Sequence, residues 1–568
     1  MSTMTGIPAT IITAVTMALT LTSCDKSDGA RQESDVFFGA ATVQKSISRV
    51  NMMQDMPGTY LMIDWEKTAR DYDAYVFDWN RTSGPGPLIW MDISGKKPGF
   101  GLYTTVGDVR QGPKRPSSHE SINTIAAVLS GGLMGIDKTQ QDGVNYLEML
   151  QNYFADANGW KIMLNNTSGY ATDWWYNVLP NILYYGVCDI FPDVNGAKDI
   201  QKSIADQFAA ADKALGDSYD YSYFDYGSMR GVSNHIPHQQ DAAGGHGYVL
   251  LCAYEKFGDA EYLERAKHAI KVLDSQRKSR FYEILLPFGI YTAAKLNAEE
   301  STDYDIHKML GWLFNGSAGR SGWGVITGTW GPYSVDGLQG STTDGGGYAF
   351  LMNSFEMAWP LVPMVKYQPQ YAAAIGKWML NNASASRLFY PGYIDDAHQF
   401  APELKNLTAN NVAYEGLRFS DRYRQKDACP IAEGDGPSWT STNPTSSMFS
   451  LYSTSPVGVF GSMIKKTDVE GILRLDCNVT DFYAERPYPV YLYYNPYDVE
   501  KTVTYQTSEE SDIFDIISKT FLSKGVACKG QIPIPPKGAV VVYELPSGTI
   551  LKYEEGKIIA DGKYTILN

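Results

Sequence analysis

The feature that most constrains this fold is a long series of segments in which apolar residues recur at helical spacing. Stretches such as SINTIAAVLSGGL at 121–133 and AEYLERAKHAIKVLDSQ at 260–276 show the pattern of amphipathic helices. Similar stretches follow one another, with short gaps, as far as residue 383. Helices joined in this way predict helical hairpins that share one core.

Two of these hairpins resemble each other, which indicates an internal repeat. The sequence GGHGYVLL is similar to GGGYAFL, so that Tyr248 aligns with Tyr348 at an offset of 100. Gln239 and Gln339 align at the same offset. A repeat of helix pairs is typical of solenoids and closed toroids.

After about residue 450 the pattern changes to short strand-like segments. VYLYYNPYDVEKTVTYQ at 490–506 and QIPIPPKGAVVVYELP at 531–546 are rich in Val and Tyr and are bounded by Pro and Gly turns. We therefore predict a helical domain over 51–450 and an antiparallel β-sandwich domain over 451–568.

The N-terminus has the organisation of an export signal. Residues 7–23 form an apolar run that is short for a membrane helix, and LTSC at 21–24 resembles the lipobox of bacterial lipoproteins. The sequence predicts a signal peptide over 1–24, lipidation at Cys24 and a polar tether over 25–50. The mature protein would be lipid-anchored to the outer membrane, at its periplasmic face or at the cell surface.

Composition excludes several classes of function. The net charge of −15, from 63 acidic and 48 basic residues, argues against nucleic acid as a partner. The wide cysteine spacing contains no CxxC pattern, and the HxxH at 235–238 has Pro237 inside it and no Glu in the position that a zinc protease requires. We predict no metal and no cofactor.

Two motifs carry a resemblance to a known group of enzymes. DWWYNVLP at 173–180 is similar to an Asn-Trp-Trp stretch of chondroitin and hyaluronan lyases, and NHIPHQQDAAGGHGYVLL at 234–251 resembles the segment where those lyases keep a His and a Tyr. Together with the helical hairpins and the β domain, the chain resembles the six-hairpin, (α/α)6-toroid carbohydrate enzymes of Bacteroidetes-type bacteria. The resemblance implies an oligosaccharide or polysaccharide substrate. It departs at Asp173, where the lyases carry Asn.

Glycoside hydrolysis needs one protonated and one ionised carboxyl group across the scissile bond. Asp173 and Asp344 each precede a predicted inner helix, where the helix dipole stabilises a carboxylate. We predict this pair as the acid and base of a hydrolase that acts on uronic-acid-containing oligosaccharides. Asp395, Asp396 and His398, in a second polar loop beside aromatic residues, are the runner-up acid/base set. Glu356 is expected to be either buried support or part of an exposed face.

β-Elimination, by a polysaccharide lyase, is the alternative reaction. It needs a group that covers the uronate carboxylate and a Tyr or His that removes the C5 proton. Asn234, His238, His246 and Tyr248 are the candidates. An ionised Asp173 beside the substrate carboxylate would be repulsive, which favours hydrolysis. A surface glycan-binding lipoprotein without catalysis is the third hypothesis.

Aromatic and polar side chains are predicted to bind the sugar. The Gly-rich segment 321–346 supplies aromatic rings that can stack on sugar faces, and Arg320 can pair with a uronate carboxylate through its planar fork. The predicted substrate-binding residues are Trp174, Trp175, Gln239, Asp241, Arg320, Trp323, Trp330, Tyr333 and Gln339.

Overall fold

The computed structural model describes residues 37–95, 97–156, 159–167, 169–420 and 429–567. The predicted signal peptide and Cys24 lie outside these residues. Within the described ranges, no helix is both long enough and apolar enough to cross a membrane.

Outer and inner helices of a ring alternate along the first four-fifths of the chain. In chain order they are α1 (Trp65–Val76), α2 (Ser121–Leu133), α3 (Tyr146–Leu150), α4 (Trp174–Ile190), α5 (Ala197–Leu215), α6 (Ala242–Phe257), α7 (Ala260–Ser275), α8 (Leu285–Glu299), α9 (Ile306–Asn315), α10 (Leu351–Glu356), α11 (Ala358–Tyr367), α12 (Ala372–Ser386), α13 (Leu451–Thr454) and α14 (Gly458–Met463).

The inner helices form a closed ring. Helix α2 packs on α4, α4 on α6, α6 on α8 and α8 on α11, and the short pair α13 and α14 closes the ring against α10, α11 and α2. Helices α1, α3, α5, α7, α9 and α12 lie outside. The inner helices are apolar nearly all round because they are covered on every side, whereas α5 and α7 bury one face only. The predicted (α/α)6 toroid is confirmed by this packing.

Glycine explains how α6 and α8 come so close. A Cβ atom on Gly244 would lie 2.9 Å from the Cα of Gly289, and one on Gly289 would lie 2.6 Å from the Cα of Gly244. The glycine pair in the quoted GGHG motif is therefore a helix-packing feature.

A five-stranded antiparallel sheet interrupts the helical pattern. Its strands lie in the order β5–β4–β3–β2–β1 and are β1 (Trp323–Val325), β2 (Gln339–Ser341), β3 (Tyr348–Phe350), β4 (Gly416–Arg418) and β5 (Ile431–Glu433). The predicted repeat fails here. Gly345 to Gly347 all have positive φ, so GGGYAFL forms a turn and a strand, and helix α10 begins only at Leu351.

The C-terminal domain contains only antiparallel strand pairs among its described residues. The strands are β6 (Ile464–Lys466), β7 (Leu473–Asp476), β8 (Val490–Tyr494), β9 (Lys501–Gln506), β10 (Ser511–Asp515), β11 (Thr520–Val526), β12 (Lys529–Ile534), β13 (Ala539–Pro546), β14 (Leu551–Glu554), β15 (Lys557–Ala560) and β16 (Tyr564–Leu567). A six-stranded sheet of order β6–β7–β8–β13–β10–β11 packs on the ribbon β9–β12, and β14 to β16 form a third sheet.

The six-stranded sheet is buried on both faces. Tyr493, Val540 and Val542 face a small core against β9 and β12, whereas their neighbours Leu492 and Val541 belong to the main core shared with the toroid. The predicted β domain is thus present. Its predicted start at residue 451 falls inside the ring, because α13 and α14 supply the sixth inner position.

The described part of the predicted tether is also structured. Phe38 packs edge-on against Phe514 and Phe521 of the β domain, and Lys45 N donates to Gln370 O at 2.7 Å. The buried residues Ile47 and Val50 hold this segment on the fold. Residues 38–50 are therefore part of the globular structure rather than a free linker.

Candidate active site

A cleft opens where the inner helices begin. It has a volume of about 430 Å³, and its wall includes Glu120 before α2, Phe350 before α10 and Ser450 before α13. Helix N-termini carry partial positive charge and stabilise anions, so this end of the ring suits carboxylates and acidic ligands. The charged lining residues are Arg110, Glu120, Glu283, Arg320, Asp344, Glu415, Arg418 and Asp435, and the aromatic ones are Trp175, Tyr176, Trp323, Tyr348, Phe350 and Tyr452.

Glu283 and Arg320 form a fixed ion pair on one wall. The Arg320 guanidinium contacts the Glu283 carboxylate, lies 4.0 Å above the Trp323 ring and donates to Tyr282 O at 3.1 Å. Asn353 Nδ2 donates to Glu283 Oε2 at 3.2 Å. Burial raises the pKa of Glu283 to about 7, against the opposing charge of Arg320.

Glu415 and Asp435 lie next to each other in the lining of the same cleft. Asp435 N donates to Glu415 Oε2 at 3.3 Å, and Tyr348 Oη donates to Glu415 Oε1 at 3.1 Å. Burial first, and then the charge of Asp435, raise the pKa of Glu415 to about 8. Glu415 therefore keeps its proton at neutral pH.

A second guanidinium, that of Arg418, lies next to this pair. It stacks 4.2 Å from the Tyr348 ring centre, contacts Glu433, and reaches Asp344 Oδ2 at 3.3 Å. The register of the sheet causes this arrangement, because Arg418 on β4 pairs directly with Tyr348 on β3.

Glu120 and two tyrosines complete the floor. Asn165 Nδ2 donates to Glu120 Oε2 at 3.1 Å, and burial raises the pKa of Glu120. Tyr452 Oη lies 3.4 Å from Tyr176 Oη, and burial raises the pKa of both phenols well above the ordinary value. These tyrosines are poorly suited to act as bases.

The two predicted acid/base residues have different surroundings. Asp344 lines the cleft, on a short turn beyond the end of β2 rather than at an inner-helix start. Asp173 precedes α4 as predicted, two residues before the lining residue Trp175. Its carboxylate accepts from Gln239 Nε2, and burial raises its pKa to about 6 against that hydrogen bond and the charge of Arg320.

Gln239 and Asp241 support the helix starts rather than facing the cleft. Gln239 Oε1 accepts from Trp175 N at 2.9 Å and so caps α4. Asp241 Oδ2 accepts from Tyr282 N at 3.1 Å, and burial raises its pKa to about 7. Both side chains are buried, so the predicted contacts with sugar hydroxyls do not fit their positions.

The residues predicted for a lyase lie away from the cleft. His246 is fully buried, with Tyr226 Oη at 2.7 Å from its Nε2, and burial lowers its pKa to about 3. Tyr248 is buried and accepts from Trp359 Nε1 at 3.2 Å. His238 is half-exposed and pairs with Asp220, while Asn234 Nδ2 donates to Thr172 O. Burial denies His246 and Tyr248 the substrate contact that their predicted roles require.

Only some of the residues predicted to bind sugar line the cleft. Trp175 and Trp323 line it, but Trp174 is buried against Tyr219. Trp330 packs on Phe419, and Tyr333 Oη donates to Asp395 at 2.8 Å. Gln339 is buried within β2.

The remaining candidates are structural. Asp395 and Asp396 line a separate surface hollow, and His398 Nδ1 donates to Pro430 O at 2.8 Å. Of the two positions expected for Glu356, the structure has the buried one, and burial raises its pKa well above the ordinary value. Within the described ranges, no cluster of His, Cys, Asp or Glu has the arrangement of a metal site.

Sequence reasoning missed Glu120, Glu283, Glu415, Asp435 and Arg418. Glu283 immediately precedes the apolar run of α8, and Glu120 precedes that of α2, so the rule applied to Asp173 would have found both. Glu415 and Asp435 follow no helical signal, because they are brought in by the five-stranded sheet.

Comparison with known proteins gives little beyond this geometry. No protein-family model and no curated protein sequence matches the chain. Among solved structures, a family 76 glycoside hydrolase from a bovine Bacteroides thetaiotaomicron strain is 8% identical, with 70% of this chain and 77% of that chain covered and a TM-score of 0.40. A GH127 β-L-arabinofuranosidase from Geobacillus stearothermophilus T6 is 10% identical over 78% and 75%, with a TM-score of 0.32.

An endoglucanase from Clostridium thermocellum, solved in complex with cellotriose, is 12% identical over 88% of this chain and 98% of that chain, with a TM-score of 0.34.

Proposed function

We propose that the cleft hydrolyses glycosidic bonds in a uronic-acid-containing oligosaccharide. The observation that carries the proposal is the pairing of Glu415 with Asp435 on the cleft wall. When two carboxyl groups share one site, repulsion between their negative charges keeps one of them protonated. Glycoside hydrolysis needs this combination of one protonated and one ionised carboxyl group.

In this reaction Glu415 is the general acid and Asp435 is the ionised partner. Glu415 gives its proton to the glycosidic oxygen as the C–O bond breaks. Water supplies the hydroxyl group that ends on the anomeric carbon, and its proton restores the carboxyl pair. Tyr348 orients Glu415 through their 3.1 Å hydrogen bond.

The substrate class follows from the other lining residues. Trp175 and Trp323 offer apolar ring faces, and Arg110, Arg320 and Arg418 offer guanidinium groups beside them. Aromatic faces suit sugar rings, and guanidinium groups suit carboxylates. A sugar chain that carries uronic acid satisfies both.

The test is an assay of the purified chain on a panel of uronic-acid glycans. New reducing ends and the ultraviolet absorbance of a C4–C5 double bond are followed together. Hydrolysis gives reducing ends without the absorbance, and Glu415→Gln abolishes them. Both signals rising together would identify a lyase. Binding without either signal would identify a glycan-binding protein.

The same assay separates the two carboxyl pairs. If Asp173 and Asp344 are the acid and base, as the sequence predicts, Asp173→Asn and Asp344→Asn each remove activity while Glu415→Gln does not. We expect the reverse. Glu415 has a neighbouring acid that raises its pKa, whereas Asp173 accepts a hydrogen bond from Gln239 and Asp344 pairs with Arg418.

Export and lipid anchoring are a separate proposal that rests on the sequence alone. Replacement of Cys24 by Ser is expected to stop incorporation of labelled fatty acid in the producing cell. Label that persists in the Cys24→Ser variant would remove the lipoprotein assignment.

A further inference from the structure

Arg418 is held rigidly at the edge of the cleft. Its guanidinium stacks on the Tyr348 ring at 4.2 Å and contacts the buried Glu433, and its side chain is 9% exposed. An arginine fixed on one side by a buried carboxylate and on one face by a ring has its orientation set before a ligand arrives.

The partner of Arg418 on the open side is held much less firmly. The Asp344 side chain is 45% exposed, and its Oδ2 lies 3.3 Å from Arg418 Nη1. A single contact of this length to a half-exposed carboxylate contributes little to stability. Asp344 N donates to Ser341 Oγ at 2.9 Å, so the start of the turn is fixed even though the carboxylate is open to solvent.

The turn that carries Asp344 cannot be built from other residues. Gly345, Gly346 and Gly347 have φ of 59°, 88° and 142°. A Cβ on Gly346 would lie 2.5 Å from the Phe419 ring, and one on Gly347 would lie 2.4 Å from Trp330. The chain therefore bends sharply over two aromatic rings and places the Asp344 carboxylate beside the guanidinium.

We infer that Arg418 binds the carboxylate of the acidic sugar and that Asp344 competes with the sugar for the same guanidinium. This inference rests on the proposed function and names the specificity residues of its cleft. The substrate carboxylate takes the place of Asp344 against Arg418, and the Asp344 side chain moves into solvent.

Competition of this kind selects the ligand by its chemistry. A carboxylate matches the planar fork of arginine with two parallel hydrogen bonds, which a hydroxyl group cannot do. A neutral sugar that displaced Asp344 would leave the ion pair broken without replacing it. Asp435 also lines the cleft, so an anionic ligand gains most where a guanidinium such as that of Arg418 receives its carboxylate.

The test measures binding of D-glucuronate and of D-glucose to the purified chain by calorimetry or by ligand-observed magnetic resonance. These two sugars differ in the C6 carboxylate. We expect glucuronate to bind more tightly than glucose. Asp344→Asn should tighten glucuronate binding about two- to fivefold and leave glucose binding unchanged, because an exposed ion pair is worth little.

Asp71→Asn is the matched control. Asp71 has a 44% exposed side chain in an ion pair with Lys67 on α1 and lies outside the cleft lining. Its replacement removes the same charge and should leave both affinities unchanged. Arg418→Lys keeps a cation beside Glu433 but loses the fork, so glucuronate binding should weaken about tenfold towards that of glucose.

The inference is overturned if the parent chain and the Asp344→Asn variant bind glucuronate no better than glucose. It is also overturned if Asp71→Asn tightens glucuronate binding as much as Asp344→Asn does, since net charge would then explain the effect. Failure of the proposed function looks different: glucuronate binding responds to Asp344 and Arg418 as expected, but no glycan on the panel is cleaved.

Discussion

The two ends of the inner ring differ in how their buried carboxyl groups are paired with positive charge. At the end where the inner helices begin, carboxyl groups line an open cleft, and burial raises the pKa values of Glu120, Glu283 and Glu415. At the end where they finish, carboxyl groups and lysines are paired: Lys295 contacts Glu255, and Lys366 contacts Asp481. Residues 480–483 of the β domain cover this sealed end of the ring.

At the sealed end, neighbouring lysines compensate the charge of one buried carboxylate, that of Asp481. Asp481 contacts Lys366 and Tyr291, and Tyr367 Oη donates to it at 3.0 Å. Burial alone would raise the pKa of Asp481, but the charges of Lys366 and Lys295 outweigh burial and hold it below the ordinary value. A carboxylate matched in this way stays ionised and structural.

At the open end, neighbouring positive charges compensate the buried carboxyl groups less fully. Asp435 raises the pKa of Glu415 further, whereas at the sealed end the neighbouring charges lower that of Asp481. The comparison teaches that burial does not by itself make a carboxyl group reactive. The sign of the neighbouring charge decides whether a buried acid holds a proton that it can give away.

Loss of the acid at the open end is expected to have the largest effect. Glu415→Gln removes the proton donor and keeps the shape, so kcat/KM on the cleaved glycan should fall about 10²- to 10⁴-fold. The unfolding temperature, measured in parallel, should change little. Activity of this variant close to that of the parent chain would assign the acid role elsewhere.

Replacement of Asp481, the acid at the sealed end, is expected to lower stability. Asp481→Asn leaves Lys366 buried without its counter-charge, which should lower the free energy of unfolding by about 3–5 kcal/mol. Denaturant unfolding measures this change, and activity per folded molecule should be retained. The control is Asp498→Asn, whose side chain is 90% exposed and which should shift stability by less than about 0.5 kcal/mol.

The dependence of kcat/KM on pH is expected to distinguish Glu415 at the open end from Asp481 at the sealed end. Glu415 is active when protonated, and its pKa is raised to about 8, so kcat/KM should be constant just below that pH and fall about tenfold per unit above it. A basic limb set by Asp481 is not expected, because its lowered pKa keeps it ionised throughout this range. Activity that rises through pH 8 would contradict the assignment of Glu415 as acid.

The smallest effect on activity is expected at His246, which lies in neither charged end. His246→Phe leaves Tyr226 Oη without its 2.7 Å partner and should cost about 1–3 kcal/mol of stability. Activity per folded molecule should be unchanged, because the side chain is buried away from the cleft. A large fall in kcat with unchanged unfolding would restore the lyase prediction.

Much of the fold could be predicted from the sequence, because helices and strands leave patterns among residues that are close in the chain. The apolar periodicity of segments such as 260–276 depends on residues three and four apart, so it reports a helix wherever the chain places it. The change to strand-like segments after residue 450 is equally local. The boundary was missed because α13 and α14 have four and six residues, too short to show a period.

Only the tertiary structure decided the site. The sequence placed Asp173 at an inner-helix start and Trp175 and Trp323 near sugar, and the cleft indeed lies at those helix starts. It could not indicate that Glu415 and Asp435 lie next to each other, because their proximity depends on the pairing of β4 with β3 and β5. Nor could it distinguish the buried His246 from a cleft histidine, since burial is set by what packs from elsewhere in the chain. Periodicity determines which segments are helices, and the contacts between distant segments determine which acids keep their protons.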